Sequence, residues 1–141
     1  MRKVLLCFFC FCLLAKVPLS CAQDDSFDAR LAIRLAEASL QALDASDFDL
    51  VWQSLTRPDQ ASHDKKAWQR QLTELRLAYG VLLERNFDRI QFRTSYVHQP
   101  DGDFAIVQFN SMFVNKAKCA ETVILKKSPT AEWQIVDIIY N

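Results

Sequence analysis

The sequence predicts an α+β protein in which three N-terminal helices pack on a curved antiparallel sheet of about four strands. Apolar residues recur at spacings of three and four in the first half of the chain, which is typical of amphipathic helices. In the second half they alternate with polar residues at a period of two, which is typical of strands. Turn-forming residues at 99–102 and 128–131 separate the strand segments.

The three predicted helices have recognisable ends. The expected N-cap residues, in chain order, are Ser26, then Ser46 or Asp47, then Asp64. Pro58 is expected to close the region after the second helix, and Gly80 to end the third. The buried stripe predicted for the first helix is Leu31, Leu35, Ala38 and Ala42, widened by Ala32, Ser39 and Leu43.

The four strands are predicted over residues 85–98, 104–114, 119–127 and 133–140. Residues 115–118 fit a four-residue hairpin loop that exposes two lysines to water. In the register that this loop implies, Ser111 lies opposite Thr122. Glu121 then shares a face of the sheet with Gln108 and Asn110, a mixed surface that suits a ligand cavity or an open sheet face.

The N-terminus predicts export. Arg2 and Lys3 precede twelve apolar residues, 4–15, and small residues follow at Ser20 and Ala22. This is the pattern of a secretory signal peptide, and the apolar run is shorter than the roughly 20 residues that span a bilayer. We expect residues 1–22 to be a signal peptide cleaved after Ala22, and residues 23–141 to form a single domain. The alternative is a lipoprotein anchored to the membrane through Cys21.

Cleavage would change both charge and cysteine content. It would remove three basic residues and no acid, so 17 of each become 14 basic and 17 acidic residues, a net charge of −3. This balance gives no electrostatic reason to expect a nucleic acid partner. Four of the five cysteines lie at or before Cys21, so Cys119 is left without a disulfide partner in the chain.

A ligand pocket is the hypothesis for the polar residues of the sheet: Glu121, Gln108, Asn110, Tyr96 and Asp137. Carboxylates and tyrosines are also the groups that a small hydrolase or isomerase uses as base and proton donor, so a cavity enzyme remains the alternative. The competing hypothesis for Glu121 is an ion pair on a solvated face. The two histidines, His63 and His98, have no second metal ligand at a useful spacing, and neither a metal nor a cofactor is expected.

Several short motifs occur in one order along the chain. They are Asp47-Phe48 with Trp52, then Trp68, Arg76, Gly80, Pro100-Asp101-Gly102, Phe113-x-Asn115-Lys116, Glu121-Thr122-Val123 and Trp133. From about residue 31 to 140 the chain thus resembles the bacterial family catalogued as domain of unknown function 4019. The resemblance implies a small exported protein with a nuclear-transport-factor-2-like, cystatin-like fold, a cone with an internal cavity. It implies no reaction, because fold does not fix function.

The sequence therefore favours an exported bacterial envelope protein, periplasmic or secreted, that is not an enzyme. It is expected to bind a small apolar ligand or an envelope protein through the cone or the sheet face. A homodimer through the sheet face is a further expectation. Membrane attachment is expected only in the lipidated form.

Export is tested by the intact mass of the protein purified from the envelope of its own cells. We expect a chain that begins at Gln23, because Ser20 and Ala22 meet the small-residue requirement for cleavage. A chain that still carries Met1 would contradict export. A diacylglyceryl mass on Cys21 would support the lipoprotein instead.

Overall fold

A computed structural model describes residues 21–141, without the side chains of residues 21–25, 57 and 62. The elements are, in order, α1 (Cys21–Asp44), α2 (Phe48–Ser54), α3 (Arg57–Ser62), α4 (Lys65–Tyr79), β1 (Leu82–Arg93), β2 (Phe104–Phe113), β3 (Lys116–Lys127) and β4 (Trp133–Tyr140). The predicted α+β class is confirmed. The signal peptide expected over residues 1–22 lies outside the described residues, except for Cys21 and Ala22 at the start of α1. No helix within residues 21–141 is long and apolar enough to cross a membrane.

The sheet is an antiparallel meander in the order β1-β2-β3-β4, so β1 and β4 are its two edges and it does not close. Helices cover one face, called here the inner face. Its core joins α1 to the two central strands, through Ala32, Ala36, Leu40, Val107, Phe109, Val123 and Leu125. The alanines allow α1 to approach the sheet closely, and burial of this apolar area is the main stabilising term of the domain.

The predicted stripe of α1 is confirmed in part, since Ala32, Ser39, Ala42 and Leu43 are buried. Ala36 and Leu40 are also fully buried, whereas the predicted Ala38 is exposed. The buried face of α1 is therefore centred slightly to one side of the predicted stripe. Ser26 is not the N-cap, because α1 already includes Cys21.

The structure has four helices in the described residues rather than the three predicted. Asp47 and Asp64 cap α2 and α4 as predicted, accepting hydrogen bonds from the amides of Leu50 and Lys66. The additional helix, α3, contains Pro58 in its first turn. Proline is tolerated there because the first amides of a helix have no partner within it. Pro58 therefore begins a helix instead of ending the region.

The hairpin between β2 and β3 is tighter than predicted. Its loop is Val114 and Asn115, and Ser111 lies opposite Cys119 rather than Thr122. Contacts with the end of α4 fix this turn. The Asn115 amide donates to the carbonyl oxygen of Tyr79 at 2.9 Å, and its Nδ2 donates to that of Ala78 at 3.3 Å. The shorter loop changes the register, so that Glu121 lies opposite Phe109 on the inner face.

The connection between β1 and β2 also differs from the prediction. Strand β1 ends at Arg93, so Tyr96 lies in the loop that follows and not in a strand. Positive φ occurs at His98 and not at Gly102. The loop folds over the outer face of the sheet, where Tyr96 packs against a small second core of Phe104, Ile124 and Val136.

Gly80 provides a test of how α4 ends. Its φ of 76° and ψ of −160° lie in a region that essentially only glycine adopts, and an added Cβ would lie 3.1 Å from Asn115 Nδ2. Gly80→Ala should lower the free energy of unfolding by about 1–3 kcal/mol, measured by urea denaturation.

Gly102→Ala is the matched control. Its φ is not positive, and the added Cβ would meet only Lys126 Cε, the far end of a flexible side chain. It should change the free energy of unfolding by less than about 1 kcal/mol. Equal effects of the two substitutions would contradict the strained helix end.

Candidate functional site

The interior of the protein contains a cluster of charged residues, called here the charge cluster. It consists of Asp44 at the end of α1, Arg76 in the last turn of α4, Arg85 on β1, Ser111 on β2 and Glu121 on β3. The strand residues meet because the register places all three on the inner face. Two helices and three strands are thus joined at one point.

Glu121 is the centre of the cluster and has no exposed surface. Arg85 binds its carboxylate with two parallel contacts, from Nε to Oε2 at 2.6 Å and from Nη2 to Oε1 at 3.0 Å. Ser111 Oγ donates to Oε2 at 2.5 Å. Arg85 Nη1 also reaches Asp44 Oδ2 at 2.7 Å. Such charge-assisted, two-point contacts are about twice as strong as neutral hydrogen bonds.

Arg76 completes the cluster from the helical side. Its Nη2 forms an ion pair with Asp44, and its Nη1 lies 3.6 Å from Glu121 Oε1. Its guanidinium lies 5.3 Å from the ring centre of Phe113 and 5.6 Å from that of Tyr140. Nε and Nη1 are buried without a hydrogen bond. Charge and the faces of two aromatic rings therefore hold Arg76 in place.

This arrangement suits a structural role and not proton transfer. Both oxygens of Glu121 are engaged by Arg85, and the two arginines balance the two carboxylates. The competing hypothesis for Glu121 placed its ion pair on a solvated face. The partners are instead Arg76 and Arg85 in the interior, because the tighter hairpin turns Glu121 inward.

Two further polar side chains beside the charge cluster are buried and held in their protonated, less reactive forms. The Tyr140 hydroxyl is buried with no hydrogen-bond partner, and burial raises the pKa of this phenol. Burial, followed by the charge of Glu121, also raises the pKa of the Cys119 thiol. Since the thiolate is the reactive form, Cys119 acts here as a buried apolar residue.

A cleft of about 380 Å³ lies between the helices α3 and α4 and the edge of β4 that follows Ile135. Its apolar wall consists of Leu55, Trp68, Leu72, Leu75, Val136, Ile138 and Ile139. Five consecutive residues of β4, from Val136 to Tyr140, line it, so the cleft follows the edge of the strand. We call it the α4–β4 cleft.

The polar lining of the α4–β4 cleft includes Asp59, His63 and Asp137. Burial is the first cause of a raised pKa at Asp137, and the charge of Asp59 adds to it. The amide of Ile138 donates to Asp137 Oδ1 at 2.8 Å and His63 is nearby, and both oppose the increase. A carboxylate that is partly desolvated in this way favours a hydrogen-bond donor or a positive charge beside it.

The five residues predicted to form one pocket do not all meet, although Tyr96 is close enough to Asp137 for the charge of Asp137 to act on it. Glu121 is in the charge cluster, and Asp137 lines the α4–β4 cleft. Gln108 lies on the outer face, where it accepts a hydrogen bond from Arg89 Nη2 at 2.8 Å, and Asn110 is exposed on that face. Tyr96 packs beside the Phe104 ring, at 6.0 Å between ring centres. The pKa of its phenol is raised mainly by burial and to a smaller extent by the charge of Asp137.

The sequence analysis missed the wall of the α4–β4 cleft. Trp68, Leu72 and Leu75 lie on one apolar face of α4, and this spacing predicts an amphipathic helix but no cleft. In the structure none of the residues of α4 is fully buried, and Trp68 and Leu72 pack only in part against the core. The apolar face of α4 was therefore the signal of the cleft. Among the described residues, no group of three or more His, Cys, Asp or Glu side chains is placed to hold a metal ion.

Taken together, these features define a small α+β protein with an open sheet, an interior charge cluster and an apolar cleft beside one sheet edge. The chain belongs to the family described as "protein of unknown function (DUF4019)", whose model matches residues 35–137. No curated protein and no solved structure matches the chain significantly. The family is confirmed, whereas the nuclear-transport-factor-2-like fold remains a prediction.

The motifs of the family resemblance come together in space. Phe113 lies under Arg76, and Asn115 lies against Gly80. Glu121 binds Arg76 across the interior. The rings of Trp52 and Trp68 meet edge to face at 5.3 Å between their centres. Most of these contacts dock α4 on the sheet, so the motifs describe one helix–sheet junction.

Glu121→Gln tests the charge cluster. It keeps the shape of the side chain and leaves two buried arginines with one carboxylate, so we expect a loss of about 3–5 kcal/mol in the free energy of unfolding. Glu74→Gln, an exposed substitution of the same type on α4, should cost less than about 0.5 kcal/mol.

A double substitution separates the ion pair from a simple packing defect. Glu121→Leu with Arg85→Met removes one charge of each sign and leaves Arg76 and Asp44 balanced. Its loss should be smaller than that of Glu121→Gln alone, because apolar replacement of a whole buried pair is often tolerated. A loss of less than about 1 kcal/mol for Glu121→Gln would instead indicate a solvated ion pair.

Proposed function

We propose that this protein is an exported, non-enzymatic binding protein that holds a small, mainly apolar ligand in the α4–β4 cleft. The observation that carries the proposal is the composition of that cleft. Its wall is apolar and includes Trp68, and a few polar groups, among them Asp59 and Asp137, share the lining. This is the usual make-up of a small-molecule site.

The size of the cleft sets the class of ligand. Its volume of about 380 Å³ is near the lower end of the range of about 300–1,000 Å³ for ligand sites. A small compound with one apolar body fits this space better than a long acyl chain or a peptide. Asp137 is exposed to the cleft, and the partial desolvation that raises the pKa of its carboxyl group favours a ligand that presents a hydrogen-bond donor to it.

The alternative of a cavity enzyme has less support. A carboxylate and a tyrosine would have to face the same substrate, but Glu121 is saturated by Arg85 and Ser111. The Tyr140 hydroxyl beside it is buried. Tyr96 packs on Phe104 at the outer face and does not line the α4–β4 cleft with Asp137.

Export is part of this proposal and is supported by the sequence of residues 1–22. A soluble form in the periplasm or outside the cell would meet its ligand there, and a form lipidated at Cys21 would do so at a membrane surface. The described domain is the same in both cases.

A charge placed in the cleft tests the site. Leu75 lines the α4–β4 cleft but not the main core, so Leu75→Arg should leave the fold intact. Binding of N-phenylnaphthylamine, a small uncharged fluorescent probe, should weaken roughly tenfold or more, because a charge in an apolar site opposes an apolar ligand. Titration followed by probe fluorescence measures this.

Leu77→Arg is the matched control, since Leu77 is on the same helix, is 74% exposed and does not line the cleft. Native mass spectrometry of both variants, purified from their own envelope, should show a retained ligand only in the control. Equal probe binding by the two variants would refute the α4–β4 cleft as the ligand site.

A further inference from the structure

Strand β1 is a long and exposed sheet edge. It has 12 residues, includes neither proline nor lysine, and pairs only with β2 among the described elements. Phe87 and Phe92 on this strand are 45% and 48% exposed. Proteins usually shorten, cover or block such an edge, because its unpaired backbone groups can bind another strand. Strand β1 carries bulges and charged side chains, which are devices of this kind, but its length and its exposed aromatic rings still leave it able to pair with another strand.

A bulge near Asp88 divides β1 into two halves with opposite parity. Before it, Phe87 lies opposite Phe109 on the inner face, and after it, Ile90 lies opposite Val107 on the same face. The outer face carries Glu84 and Asn86 before the bulge. After the bulge it carries Arg89, Gln91 and Arg93. The side chains that face inward therefore belong to odd-numbered residues before the bulge and to even-numbered residues after it.

This pattern is complementary to itself. Consider two copies whose β1 strands pair antiparallel about a two-fold axis through the bulge. In this arrangement each inner residue of one strand lies opposite an inner residue of the other. Phe87 then lies opposite Ile90 of the second copy, and Asn86 opposite Gln91. Glu84 lies opposite Arg93 of the second copy, and each of these pairs occurs twice.

The charges select this register. Shifting the axis to Phe87 or to Ile90 pairs inner residues with outer residues beyond the bulge, and it also separates Glu84 from Arg93. With the axis at the bulge, Asp88 and Arg89 also lie beside their counterparts in the second copy. They are already neighbours in one chain, at 3.8 Å. Opposite charges directly across a pair of strands are favourable, whereas like charges in the same place are not.

We propose that two copies of this chain pair through β1 in this register and form a continuous eight-stranded sheet, with the helices of both copies on the inner side. The proposal is independent of the ligand-binding function, because the α4–β4 cleft lies at the opposite edge of the sheet. Each copy would keep its cleft open. The sheet edge, and not the sheet face, is the contact.

A charge swap tests the pairing in the full-length protein. Glu84→Arg places two arginines opposite each other, and Arg93→Glu places two glutamates opposite each other, both twice per dimer. Each should raise the dimer dissociation constant by about tenfold or more, measured by sedimentation velocity. The double variant Glu84→Arg with Arg93→Glu should restore the dissociation constant of the unsubstituted protein.

The control variants are Glu74→Arg and Arg70→Glu, which make the same charge changes at exposed positions of α4 and should leave association unchanged. A protein that stays monomeric up to about 1 mM would overturn the proposal. A dimer whose dissociation constant is unchanged by both single substitutions would overturn the proposal too. Weakening by each single variant without recovery in the double variant would overturn the proposed register.

Discussion

The buried carboxylate of Glu121 is the constraint on which the rest of the structure depends. An ionised carboxylate with no exposed surface is stable only when cations and donors surround it. Arg85 and Ser111 supply a cation and a hydrogen-bond donor from the neighbouring strands. Arg76 supplies a second cation from α4, and Asp44 at the end of α1 balances the added positive charge. The positions of both long helices relative to the sheet follow from one side chain.

Such a cluster specifies structure more than it adds stability. The cost of removing four charges from water offsets much of their attraction, so an apolar core of the same shape is often as stable. The cluster does exclude alternatives. A slip of one residue between β2 and β3 would turn Glu121 to the outer face and leave Arg85 and Arg76 without it. The ion pairs therefore fix a register that the apolar residues alone, present on both faces of β3, specify weakly.

Much of the fold follows from local pattern. The capping residues Asp47 and Asp64 and the terminal Gly80 were readable because their effects act within a few residues. The turn at Val114 and Asn115 was not, because its hydrogen bonds go to the end of α4, about 35 residues earlier in the chain. That one contact moved Glu121 to the other face. Contrary to the prediction, Glu121 therefore does not share a face with Gln108 and Asn110.

Helix α4 has no fully buried residue and is held by the partly buried Trp68 and Leu72, by Arg76 and by the contact of its C-terminal end with Asn115. Segments with so little buried surface open locally at a lower free energy than the core strands, such as β2 and β3. The wall of the α4–β4 cleft is consequently the part of the domain that separates first, while the sheet stays intact. Local opening of α4 then widens the cleft without unfolding of the sheet.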